Sequence, residues 1–126
     1  MKTIIIVDDD IINTTLLQML LEIEGYQTVP CKNIEEGKAA AYNKADAFVI
    51  DCHLAGGASG LSLLRDIRMG KTAVPPNTVA IMASGDHRLE VESLESGADR
   101  FLLKPYSPNE LAQELSKSLA KREHSG

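Results

Sequence analysis

Along the chain, short apolar runs alternate with stretches in which apolar residues recur at helical spacing. The runs predict strands at Thr3–Val7, Gln27–Cys31, Ala47–Asp51, Thr78–Ala83 and Arg100–Leu103. Three of them are almost continuously apolar, as strands covered on both faces should be. Between them, Ile12, Leu16, Met19, Leu20 and Ile23 repeat with helical spacing, and Gly25 follows as a stop. A second, Ala-rich helix is predicted from Ile34 to Tyr42, and Leu61, Leu64 and Ile67 form one face of a third. The fourth runs from Arg88 to Ser96 and closes at Gly97, a residue suited to a left-handed cap. Ser107 or Asn109 caps the fifth, whose buried stripe is Leu111, Leu115 and Leu119. A strand–helix unit repeated in this way implies an α/β fold: a parallel sheet with helices on both faces.

The chain has 126 residues. That length suits one domain, taken as residues 1–122, with 123–126 as the end of a polar, frayed tail, KREHSG. There is no internal repeat, low-complexity tract or linker, and Met69–Asn77 reads as a surface loop. Hydrophobic residues are 44% and charged ones 25%, as in an ordinary soluble domain, and with no Trp the core must be aliphatic. The formal charge of −5, with Lys and Arg scattered, argues against direct binding of nucleic acid. The apolar run in MKTIIIVDDD is too short for a signal peptide or a membrane span, so the expected location is cytoplasmic, without membrane contact. Cys31 and Cys52 are then expected as thiols, and with no CxxC pair they read as small core residues.

Ligands of open parallel sheets bind beyond the carboxyl ends of the strands. At those ends stand Asp8, Asp9 and Asp10 after the first strand, Asp51 closing the third, Ser84 and Gly85 after the fourth, and Lys104 and Pro105 after the fifth. Crowded carboxylates repel one another unless a cation or hydrogen bonds compensate. Two or three carboxylates with carbonyl or water oxygens suit a hard divalent cation, Mg²⁺ in particular. A hydroxyl and an ammonium suit phosphoryl oxygens, and an Asp carboxylate facing that group can attack phosphorus.

VDDD after the first strand, Asp51 ending FVID, MASG after the fourth strand and LLKPY share their order and spacing with a known family. From about residue 3 to 120, the chain resembles the receiver domain of two-component response regulators, the CheY-like superfamily. The resemblance implies a five-stranded sheet of order 2-1-3-4-5 (flavodoxin-like) and a phosphoacceptor signalling module. Asp51 would be the phosphoacceptor. Asp8 and Asp9, with Asp51 and the main-chain carbonyl of His53, would hold Mg²⁺. Ser84 and Lys104 would contact the phosphoryl group, and Ser84 and Phe101 would act as switch residues. His53 and Asp86 stand where the family tunes phosphoryl lifetime. The implied partners are a histidine kinase or histidine phosphotransfer protein, a downstream protein or output domain, and a second copy in a homodimer. Signalling would switch the surface made by the fourth helix, fifth strand and fifth helix. Two departures stand out. Where the family commonly has Pro four and Gly eight residues after the acceptor, this chain has Ala55 and, at the ninth, Gly60, so HLAGGASG is one residue longer. Gly85 replaces the usual Ala, which keeps access to Asp51 open.

Plainer readings explain some residues. Helix capping suffices for Asp10, and Phe101 could be core. His53, His87 and His124 form no ligand set, and GGASG lacks both common phosphate-loop patterns. Two rivals remain. One is an unphosphorylated receiver-like scaffold. The other is a phosphohydrolase of the haloacid dehalogenase type, which wants a second Asp where His53 stands.

Overall fold

The computed structural model describes residues 1–125; Gly126 and the side chains of His124 and Ser125 lie outside the described residues. Five strands, β1 (Thr3–Val7), β2 (Gln27–Cys31), β3 (Ala47–Asp51), β4 (Val79–Ser84) and β5 (Arg100–Leu103), alternate with α1 (Ile11–Ile23), α2 (Ile34–Ala40), α3 (Gly60–Arg68), α4 (Leu89–Glu95) and α5 (Pro108–Ser125). All pairings are parallel and the order is β2-β1-β3-β4-β5. This is the predicted doubly wound fold. Strand β4 lies one residue later than predicted, because Ser84 still pairs with Leu103. Helix α2 stops at Ala40, short of Tyr42.

Alternation along the strands divides the core. Ile5, Val7, Phe48 and Ile50 pack with Leu61, Leu64 and Ile67 on the face covered by α2, α3 and α4. Ile4, Ile6, Val49 and Ile81 pack with Leu17, Leu21, Leu111, Leu115 and Leu119 on the face covered by α1 and α5. Each such leucine, fully buried, contributes on the order of 2 kcal/mol.

Helix α1 forms where the spacing predicts it, but the residues that mark it are mostly not the ones it buries. Its packing face is Thr14, Leu17 and Leu21, whereas Ile12, Leu16, Met19 and Ile23 are exposed. Apolar residues occur on both sides of this helix, so spacing identified the helix but could not choose the face. Helix α5 corrects another expectation: it continues to Ser125 through the residues read as a frayed tail. Arg122 there bonds Asp99 at 2.7 Å and Glu123 pairs with Lys2 at 2.6 Å. Ser107, rather than Asn109, caps the helix, its Oγ accepting the N–H of Glu110.

Opposite the strand ends that carry the candidate site, Asp99 closes a network. One of its oxygens accepts from Ala80 N and Arg68, the other from Arg122. The Arg68 guanidinium also donates to the carbonyls of Gly97, Pro76 and Thr78. It thereby holds the end of α4, where Gly97 takes the predicted left-handed conformation, with φ 106°.

The loop after β3 contains a 3-10 turn, Ala55–Gly57, before α3 begins at Gly60. Gly60 N donates to the Cys52 carbonyl at 2.9 Å. A Cβ on Gly60 would stand 2.0 Å from the Asp51 carbonyl oxygen and 2.7 Å from the Ile50 side chain. The nearest obstacle is the Asp51 backbone, which cannot swing aside as the end of a flexible side chain would. Gly60→Ala should therefore lower the unfolding free energy by about 2 kcal/mol. That loss would appear as a lower urea midpoint with an unchanged slope; a midpoint equal to wild type would contradict this close packing.

Candidate functional site

Each candidate residue is placed by the end of a strand. Strand β1 delivers Asp8, whose N–H still pairs with the carbonyl of Cys31. Asp8 is buried, Asp9 and Asp10 are exposed, and Asp51 at the end of β3 is partly buried. Lys104 follows β5, anchored by its N–H on the Ser84 carbonyl at 2.8 Å. The peptide bond between Lys104 and Pro105 is cis.

The Lys104 ammonium reaches back across the sheet. Its Nζ lies 3.0 Å from Asp51 Oδ2 and 3.4 Å from Asp8 Oδ2. Burial works against the ammonium, but the hydrogen bond and charge of Asp51, with the charge of Asp8, outweigh it and raise its pKa. Each oxygen of Asp8 also has a fixed donor: the N–H of Asp10 at 2.9 Å on Oδ1 and the Asn13 amide at 2.8 Å on Oδ2. Asp51 Oδ1 accepts the N–H of His53 at 3.1 Å. Carboxylate oxygens of Asp8, Asp9 and Asp51 lie within 4.8 Å of one another, a spacing at which all three can bind one cation. Hard oxygen donors so placed fit Mg²⁺ or Ca²⁺ and offer nothing to a soft metal.

Asp10 caps α1, accepting from the backbone N–H groups of Ile12 and Asn13. Ser84 is fully buried, and its Oγ accepts the N–H of Asp86 at 3.0 Å. Because Asp51 pairs with Ala83, Ser84 stands one residue beyond it on the neighbouring strand. Gly85 has no atom within 4 Å of the place a Cβ would take, so the approach is open there. The Asp86 carboxylate faces Arg88: Nε and a terminal nitrogen each donate at 2.9 Å, which holds its pKa down at about 2. Phe101, paired with Met82, packs partly buried against the core beneath α4. The structure thus gathers Asp8, Asp9, Asp51 and Lys104 directly, puts Ser84 at the edge, and leaves Phe101 further along β5. His53 joins through its backbone, and His87 is exposed.

One neighbour was not read from the sequence: Asn13, which hydrogen-bonds Asp8. Tyr106, the last residue of LLKPY, stands in the motif without an assigned role; it lines a cleft with Asp10, Asn13, Lys104 and Pro105, and burial raises its pKa to about 12. A polar residue in the first helical turn, five positions after a buried acid, was the available sign for Asn13.

Comparison with known proteins agrees with this architecture. Residues 4–116 match the response regulator receiver domain family. The chain is 32% identical over 115 residues to the phosphate regulon transcriptional regulatory protein PhoB of Pseudomonas aeruginosa, covering 90% of this chain and 50% of that protein. It is also 32% identical over 124 residues to the alkaline phosphatase synthesis transcriptional regulatory protein PhoP of Bacillus subtilis, covering 97% and 50%. The chain thus spans about half the length of these curated relatives. Among solved structures, a CheY-like receiver domain protein of Methanospirillum hungatei superposes with a TM-score of 0.88 at 29% identity, covering 100% of this chain and 99% of that one. The response regulator TrrA of Thermotoga maritima, in complex with Mg²⁺-BeF, gives 0.82 at 27% identity, covering 94% and 99%. With its strand order, its acidic strand ends and these matches in agreement, the chain belongs to the response regulator receiver domain family of two-component signalling.

Proposed function

We propose that Asp51 takes a phosphoryl group from a phosphohistidine donor, a histidine kinase or a histidine phosphotransfer protein, and that the new charge alters the surface of α4, β5 and α5. The observation that carries this reading is the meeting of Asp51 with Lys104 at 3.0 Å inside a cluster whose other members, Asp8 and Asp9, fit a divalent cation. An oxygen of Asp51 attacks phosphorus as the bond to the donor imidazole breaks, and the released imidazole keeps the electron pair. Mg²⁺, held by Asp8, Asp9, Asp51 and the main-chain carbonyl of His53, would offset the repulsion among carboxylates and phosphoryl oxygens. Lys104 can follow Asp51 and pair with a phosphoryl oxygen, since its ammonium already sits on that carboxylate.

The buried Ser84 hydroxyl can then turn from the Asp86 N–H toward the phosphoryl oxygens, and Phe101 can follow into the space beside it. Exposed Val91, Leu94 and Leu103 give the responding face apolar surface for a downstream protein, an output domain or a second copy. Helix α1, which begins beside the acidic cluster, exposes Ile12, Leu16, Met19 and Ile23, apolar surface that a donor protein could cover. The proposed role is that of a phosphoacceptor rather than an enzyme with a separate substrate. It fits a cytoplasmic location, and no helix among the described residues is long and apolar enough to cross a membrane.

Incubation with Mg²⁺ and acetyl phosphate, or with a phosphorylated kinase, followed by intact mass measurement, tests the central step. Wild type should gain the mass of one phosphoryl group and Asp51→Asn should gain none; a wild type that stays unmodified with both donors would sink the reading. Phosphoryl lifetime gives a second expectation. Arg88 occupies both oxygens of Asp86, leaving that carboxylate poorly placed to accept a hydrogen bond from an attacking water. Arg88→Ala should therefore shorten the phosphoryl half-life severalfold, and Asp86→Ala should not shorten it. His53, the other candidate for lifetime tuning, is exposed. Equal half-lives in wild type and Arg88→Ala would remove the Asp86–Arg88 pair from the account.

A further inference from the structure

Asn13 has no role in the reading so far, yet it makes one of the shortest polar contacts in the site. Its amide nitrogen lies 2.8 Å from Asp8 Oδ2, close to the 3.4 Å approach of Lys104 to the same oxygen. An ionised carboxylate only accepts, so the NH₂ end of the amide must be the one turned to it. The N–H of Asp10 fixes the other oxygen, Oδ1, at 2.9 Å. These two contacts, one on each oxygen, fix the plane of the carboxylate; the third donor, Lys104, is longer, at 3.4 Å, and is shared with Asp51, so it orients Asp8 less tightly than the amide does.

The amide is itself held by the helix start. Asp10 caps α1 and accepts the backbone N–H of Asn13 at 3.2 Å, which fixes the turn from which the side chain reaches back. Thr14, the next residue, is buried and donates to the Asp10 carbonyl at 2.8 Å, locking that turn from the inner side. Asp10, which capping alone explained, thereby acts on the site through Asn13.

We propose that Asn13 is a positioning residue for divalent-cation binding: its amide holds the Asp8 carboxylate in the orientation in which Asp8, Asp9 and Asp51 bind one ion. The inference rests on the cation site proposed above and adds the residue that sets its geometry. The amide is neutral, so it orients Asp8 without contributing charge to compete with the ion, unlike Lys104. Groups that orient a metal ligand through a hydrogen bond typically change metal affinity by about 10- to 100-fold when removed.

The test is calorimetric titration of MgCl₂ into wild type, Asn13→Ala, Asn13→Leu and Thr15→Ala, with thermal unfolding in EDTA run in parallel. Asn13→Leu keeps the side-chain bulk without the donor. Thr15 lies in the same helical region, but its hydroxyl bonds only the Ile11 carbonyl among the described residues. Both Asn13 variants should raise the Mg²⁺ dissociation constant by about tenfold, with Thr15→Ala unchanged and all variants still melting cooperatively. If wild type binds Mg²⁺ and both Asn13 variants stay within about twofold of it, the positioning role is wrong while the cation site stands. If Thr15→Ala weakens binding as much as they do, the effect belongs to the helix and the role is again wrong. If wild type takes up no Mg²⁺, the underlying site fails and this inference falls with it.

Discussion

Like charge drawn to one end of a buried sheet is the constraint on which the rest of this structure turns. A parallel sheet brings the carboxyl ends of its strands together, and β1 and β3 end in acids that water reaches only in part. Three carboxylates stand close together, and among the described residues Lys104 is the one ammonium in contact with them. Hydrogen bonds from Asp10 N, Asn13 and His53 N carry part of the compensation. The remainder makes the site receptive to a divalent cation. It also keeps the Asp51 carboxylate paired with the Lys104 ammonium.

The opposite end of the sheet shows the contrary solution. There one carboxylate, Asp99, meets two guanidinium groups and a backbone N–H, and the Arg68 guanidinium is further satisfied by three carbonyls. Removing Asp99 from this network would leave the largely buried Arg68 guanidinium without its carboxylate, a destabilising change. Charge there is closed off and serves cohesion; at the strand ends of the candidate site it is left open. The same fold thus separates a structural pole from a reactive one.

Much of this was legible in the residues. Strand positions followed from apolar runs, and a parallel sheet of that order brings the candidate residues to one edge. What escaped the sequence was directional. Helix α1 carries apolar residues on two sides, so its spacing could not tell the buried Leu17 and Leu21 from the exposed Ile12, Leu16 and Met19. The polar end of α5 read as frayed because its tertiary partners, Asp99 and Lys2, are remote in sequence. Asn13 escaped for a related reason: its partner lies across a strand-to-helix turn, where neither helical nor strand periodicity applies. Gly60 was visible as a shift in spacing, but only the approach of backbone to backbone explains why it is glycine.

The most direct measurement of the central claim is thermal unfolding of wild type and Asp9→Asn in EDTA and in MgCl₂ at matched ionic strength. Asp9 is exposed, so its replacement removes a carboxylate from the cluster with little disturbance to packing. A ligand that binds only the folded chain raises the midpoint as its concentration passes the dissociation constant. The account predicts a saturable rise with Mg²⁺ in wild type and a much smaller one in Asp9→Asn. Identical midpoints in EDTA and MgCl₂ for wild type, or an equal rise in both proteins, would contradict it.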